Sequence, residues 1–207
     1  MRYVFAILTM FALAACASSG QDDGFRVGAS PRAFVIIGVA EAASNTSATY
    51  DLLWRRLDSN GNFTAEVEAG RTAFQAETNE RGTLRIRGIP GEFVMREIDP
   101  GVYALDSVFA SIRDERVNYI ANGVVTGPER PAFEVRAGEA IYLGIWEVNI
   151  DDVTAVARPW RMNEADLEAV IERRDEVIGE VHARETHTRS VPCQPRHLNN
   201  RSQRQVC

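Results

Sequence analysis

The sequence predicts a mainly β protein, an antiparallel β-sandwich followed by one amphipathic helix and an irregular tail. Three observations carry that prediction. Short stretches of alternating apolar and polar residues recur between residues 32 and 160, as half-buried strands require. Turn signals separate them, chiefly Asn60-Gly61, Pro100-Gly101 and Gly138. Apolar residues at helical spacing occur in one segment, 162–181.

The chain opens with Arg2 and a twelve-residue apolar stretch from Val4 to Ala15. A membrane-crossing helix needs about 20 apolar residues, so this stretch has the length of a secretory signal that is removed. It ends in Leu13-Ala14-Ala15-Cys16. A leucine, two small residues and a cysteine in that order resemble the lipobox of bacterial lipoproteins. The resemblance implies cleavage before Cys16, a diacylglycerol on its sulfur and usually an acylated amine, and two or more chains anchor stably where one binds marginally. Ala17 stands where an aspartate would signal inner-membrane retention, so the resemblance implies the outer membrane, with the protein facing the periplasm. The alternative is a plain cleavable signal beside a chance cysteine.

Residues 16–31 are small, polar and rich in Gly, Ser and Asp, which suits a flexible tether. The body, 32–160, begins with "RAFVIIGVAEA", a continuous β-branched apolar run expected as a strand buried on both faces. "YDLLWRRL" (50–57) places Tyr50, Leu52 and Trp54 on one face, and Asn60-Gly61 after it predicts a hairpin turn. "FTAEVEA", "TAFQAET" and "TLRIRGI" read as half-exposed strands. In "IDPGVYALDSVFA" (98–110), Pro100-Gly101 fits the centre of a type II turn, and Tyr103, Leu105, Ser107 and Phe109 share a face. "FEVRAGEAIYLGIWEV" (133–148) is expected as a second hairpin turning at Gly138, with Ile141, Leu143 and Ile145 on one face. Trp146 then lies on the opposite face, near Tyr142, as the candidate exposed aromatic pair for binding. The helix, 161–181, has Asn163 as N-cap, carboxylates in its first turn, and Leu167, Val170, Ile171, Ile178 and Val181 as its docking stripe. Residues 182–207 lack an apolar period and read as irregular.

"IDPGVYAL" and "FEVRAGEAIYLGIW" together resemble the Pro-Gly-x-Tyr and Phe-x-Val-x-x-Gly-x-x-x-Tyr-x-Gly hairpins of small envelope sandwiches. These are transthyretin-like and carboxypeptidase-regulatory-type domains and related bacterial lipoproteins. The similarity covers about residues 98–148. It implies an immunoglobulin- or transthyretin-like sandwich that binds or connects, and it carries no catalytic residues over.

All 23 basic residues are arginine, against 29 acidic residues. Without Arg2 the mature net charge is −7, made of −11 in 16–181 and +4 in the tail from His182. An acidic body argues against nucleic acid as a partner. Cys193 and Cys207 are expected to form an intrachain disulfide in the oxidising periplasm, ahead of free thiols or an intermolecular pair. Closing that loop would disfavour the unfolded chain by about 3 kcal/mol.

His182, His187 and His197 all lie in the tail, so no Ser-His-Asp or Cys-His site is expected in the sandwich. Their spacing with Cys193 and Cys207 matches no zinc signature, and neither a metal nor a cofactor is expected. "DSNGNF" lacks the sixth-position glycine of a calcium loop and reads as a turn, with Ala69 where a bidentate glutamate would be needed. Trp54 and Trp160 are the remaining tryptophans, with Trp54 assigned to the core.

The expected function is therefore a non-enzymatic outer-membrane lipoprotein. Its partners would be the bilayer, through acylated Cys16, and an envelope protein or glycan. Two alternatives stand beside it. One is an envelope hydrolase acting on peptidoglycan or glycan through carboxylates such as Asp151 or Asp152. The other is lipopolysaccharide-phosphate binding by the arginine-rich tail.

Overall fold

A computed structural model describes residues 24–41, 48–78, 84–86, 89–113, 118–124, 127–172, 176–192, 196–197 and 205–206. In chain order the strands are β1 (Phe25–Arg26), β2 (Ala33–Glu41), β3 (Ala48–Arg56), β4 (Ala73–Glu77), β5 (Leu84–Ile86), β6 (Ile89–Ile98), β7 (Gly101–Arg113), β8 (Asn118–Val124), β9 (Glu129–Val135), β10 (Ala140–Asp151) and β11 (Thr154–Arg161). Helix α1 (Glu164–Ile171) follows, then β12 (Val177–Ile178), β13 (His182–Ala183), β14 (His187–Ser190), β15 (Arg196–His197) and β16 (Gln205–Val206). The mainly β fold class is as the sequence predicts.

Two large sheets face each other. The first has the order β11-β10-β2-β6-β5, with β13 also on β10. The second has the order β14-β9-β7-β3-β4, with β8 also on β7. Between them pack Val35, Ile37, Trp146 and Val148 of the first sheet and Tyr50, Leu52, Trp54, Leu105 and Phe133 of the second, all buried. Trp54 meets Trp146 edge to face across the sandwich, with ring centroids 5.2 Å apart. β2 is buried along nearly its whole length because α1, β1 and β12 cover its outward residues, Phe34, Ile36 and Ala40, while its inward residues face the second sheet. One interior pairing departs from the antiparallel expectation: β2 and β10 run parallel.

That pairing follows from a second departure. Pro100-Gly101 and Gly138 do turn the chain, but neither turn closes a hairpin. β6 belongs to the first sheet and β7 to the second, and β9 and β10 are likewise split between sheets. Both turns are arches that carry the chain over the core. At the first, the Tyr103 hydroxyl lies within hydrogen-bond distance of the carbonyls of Asp99 (2.8 Å) and Arg71 (2.5 Å), which share its one proton, and this ties the arch to the start of β7. Tyr103 thus fastens the Pro100-Gly101 turn to the strand that follows it. Around it Arg32, Arg56 and Arg71 approach Asp99 at 3.8, 4.0 and 3.3 Å. Burial of Tyr103 raises its pKa.

The helix is shorter than 161–181. Asn163 caps it as expected, its side chain accepting from the Ala165 N–H at 2.9 Å, and Glu164 and Asp166 stand in the first turn. Leu167 is buried, with Val170 and Ile171 packed beside it. The described helix ends at Ile171, and Val177–Ile178 instead extends to pair with Phe25–Arg26. Val177 is buried there while Ile178 is 38% exposed, the reverse of the predicted stripe. The tail is not irregular throughout: β13 adds to β10, β14 adds to β9, and β15 pairs with β16. These strands are short and polar, so sheet-edge hydrogen bonds hold them in place of an apolar face. Residues 63–69, expected as a strand, form only isolated bridges at Phe63 and Ala69.

Candidate functional site

The predicted aromatic pair is not a surface. Trp146 and Tyr142 are both fully buried. Sequence alternation correctly separates Trp146 from Ile145, but a β-bulge decides which of them faces inward. Opposite β2, β10 carries one extra residue between Tyr142 and Ile145, and Gly144 there adopts φ +76°. The alternation inverts at that point. Ile141 and Leu143 face the inter-sheet core and so does Trp146, while Ile145 joins Tyr142 on the outer face beneath α1. Gly38 of β2 makes room for Ile145, because a Cβ at Gly38 would lie 2.8 Å from its Cγ1. The Trp146 indole N–H donates to the Leu143 carbonyl at 3.2 Å. Burial, with Asp166 nearby, raises the pKa of Tyr142.

Asp151 and Asp152 are exposed at the β10–β11 turn, where Asp152 and Val153 both have positive φ, 42° and 61°. This is a solvated hairpin tip. His182 and His187 are exposed on β13 and β14, the former 3.6 Å from Glu180. Among the described residues no group of three metal-ligating side chains occurs. Asp58 accepts from the N–H groups of Asn60 and Asn62, which makes "DSNGN" the expected turn. Cys16, Cys193 and Cys207, and with them the lipid site and the disulfide, lie outside the described residues, and so does the side chain of His197. Of the tail arginines, Arg184 bonds the Glu134 carbonyl (2.7 Å) and the Glu139 carboxylate, clasping the tail to the body.

The candidate functional surface is the outer face of the second sheet. Its lower half is closed. Leu57, Phe63 and Val191 cover Ala104 and Ala132, and the guanidiniums of Arg55 and Arg130 lie 4.8 and 5.3 Å from the centre of the Phe63 ring. Asp106, the bulge residue of β7 opposite β3, is buried 3.8 Å from Arg55. Arg130 donates to the carbonyls of Leu105 (3.1 Å) and Asp106 (3.0 Å), where β7 passes from pairing with β9 to pairing with β8.

The upper half is more open. Asp51 of β3 stands between Phe109 of β7 and Glu77 of β4, and all three are half-buried. Gln75 donates to Asp51 Oδ2 at 2.9 Å, and Oδ1 is buried and accepts no hydrogen bond among the described residues. Burial first, and the Glu77 carboxylate second, push the Asp51 pKa up to about 6, against the smaller opposing effect of Gln75. The site can therefore hold or release a proton just below neutrality. Sequence reading missed it because Asp51 and Glu77 are far apart along the chain. The available signal was Asp51 within the alternation of Tyr50, Leu52 and Trp54, which assigns it to the outer face.

No helix among the described residues is long and apolar enough to cross a membrane. Comparisons with protein-family models, with curated proteins and with solved structures find no match for this chain.

Proposed function

We propose that this chain is an outer-membrane lipoprotein whose sandwich, anchored through acylated Cys16, binds or braces another component of the cell envelope without catalysing a reaction. The observation that carries this reading is Leu13-Ala14-Ala15-Cys16 at the end of an apolar run too short to span a bilayer. The acidic body supports a partner other than nucleic acid. Intact mass of the protein purified from its native membrane, beside Cys16→Ser, tests the anchor. A lipid-sized increment on Cys16 with residues 1–15 removed is the expected result, and an unlipidated mature chain refutes it. Cross-linking in cells then tests binding, and recovery of no envelope partner counts against it.

The paired carboxyls of Asp51 and Glu77 favour a second reading, an envelope hydrolase. Perturbed carboxyls on an open face are a recognised mark of acid-base sites. Release of fragments from purified cell wall, lost in Asp51→Asn and Glu77→Gln, supports that reading in place of the first.

A further inference from the structure

We infer that the arch end of the sandwich faces the bilayer and that the β10–β11 tip is presented away from it, toward the partner. The inference rests on the lipoprotein reading and adds to it an orientation. Its first ground is where the incoming chain is fixed. Phe25 is buried against Phe34, with ring centroids 5.3 Å apart, and its N–H donates to the Glu176 carbonyl at 2.8 Å. Two residues on, the Val27 N–H donates to Ile178 at 3.0 Å.

The segment then joins both arches. The Gly28 N–H donates to the Gly138 carbonyl at 2.8 Å, and the Gly138 N–H donates to Arg32 at 2.7 Å. Arg32 bonds the Glu97 carbonyl at 2.9 Å and lies 3.8 Å from Asp99. From Phe25 onward the chain is thus fastened to the end of the sandwich that holds the two crossings.

The second ground is length. Phe25 is nine residues along from Cys16, so the lipid and the fixed point are at most about 30 Å apart, however the chain between them is arranged. β10 leaves the arch end at Ala140 and runs twelve residues to the tip, about 40 Å. The sandwich is longer than its leash, so an upright body with its tip on the headgroups cannot be reached.

Lying flat on the outer face of the first sheet is opposed by charge. That flank carries α1, which exposes Glu164 and Glu168, with Glu172 just beyond its end, and an anionic leaflet repels them. The arch end inward meets neither obstacle. The tip outward then presents Asp151, Asp152 and the 70% exposed Val153.

The test uses the full lipidated chain in vesicles of phosphatidylethanolamine and phosphatidylglycerol that carry a headgroup-linked acceptor dye. A donor dye is attached through an azide-bearing residue replacing Arg136, in the second arch, or Asp152, at the tip. Energy transfer several-fold stronger from position 136 than from position 152 is expected. Inserting about thirty Gly and Ser residues after Ser19 lengthens the reach of the leash toward the length of the body and should erase the difference. Equal or reversed transfer in a chain whose mass shows lipid on Cys16 overturns the orientation alone, as does a difference that survives the insertion. A mass without lipid overturns the anchor, and the orientation with it.

Discussion

Replacing Asp51 by Asn should make the protein more stable near neutrality and leave it unchanged in acid. Asn keeps the size of the side chain and can still accept the Gln75 hydrogen bond, but it carries no charge to bury beside Glu77. The wild-type carboxyl ionises near pH 6 when folded and near 3.8 when unfolded. A raised folded pKa means that the stabilising contribution is fully present below the unfolded value and is lost as pH rises through the folded one. At 1.36 kcal/mol per tenfold change in proton affinity, the full loss is about 3 kcal/mol. Solvent and salt reach a half-buried carboxyl, which reduces this to about 1–2 kcal/mol.

Urea denaturation at pH values from 4 to 7.5 reads the effect directly. Asp51→Asn should differ little from wild type at pH 4, where only a small part of the contribution is lost, and exceed it at pH 7.5 by about 0.5–1 M in midpoint, for an m-value near 2 kcal/mol/M. Glu77→Gln removes only the secondary cause and should fall between the two. Parallel pH profiles for wild type and Asp51→Asn would refute the assignment, and so would an Asn variant less stable at pH 7.5.

Three further outcomes test the fold. Gly144→Val places a β-branched side chain at φ +76° with its Cβ 2.7 Å from the Arg161 carbonyl, and should cost about 2 kcal/mol or more, seen as a lowered Tm. Tyr103→Phe removes the one hydroxyl proton shared by the Asp99 and Arg71 carbonyls and should cost about 1–3 kcal/mol in denaturation. Tyr142→Phe should be neutral or stabilising, because the buried hydroxyl has no hydrogen-bond partner among the described residues. A loss above about 1 kcal/mol would show that the hydroxyl is satisfied.

Local features were legible in the sequence because their causes are local. The β-branched run at 33–41 is a strand buried on both faces, alternation put Tyr50, Leu52 and Trp54 in the core, and Asn163 caps its helix through its own side chain. Asn60-Gly61 turns the chain because Gly61 takes φ +80° and Asp58 accepts the N–H groups that follow. The mainly β class follows from the same short-range signals. Which sheet each strand joins is another matter, because it depends on pairing between residues far apart in the chain. Pro100-Gly101 looks the same whether it closes a hairpin or an arch, and the pairing of β6 with β2 in one sheet and of β7 with β3 in the other distinguishes the two.

The same distinction separates the predicted site from the observed one. A single extra residue at Gly144 reverses the faces of everything after it, so Trp146 moved from the expected surface into the core. Asp51 acquired its proton affinity from burial and, secondarily, from Glu77, neither of which its own stretch of sequence reveals. The tail strands β13 and β14 have no apolar pattern because the edges of β10 and β9 supply their hydrogen bonds. By itself the sequence determined the β class, the cap, the tight turn and the core face of β3, all products of backbone preference and alternation within a few residues. Sheet membership, the inverted face of β10 and the proton site were decided only in the tertiary structure, where distant residues first meet.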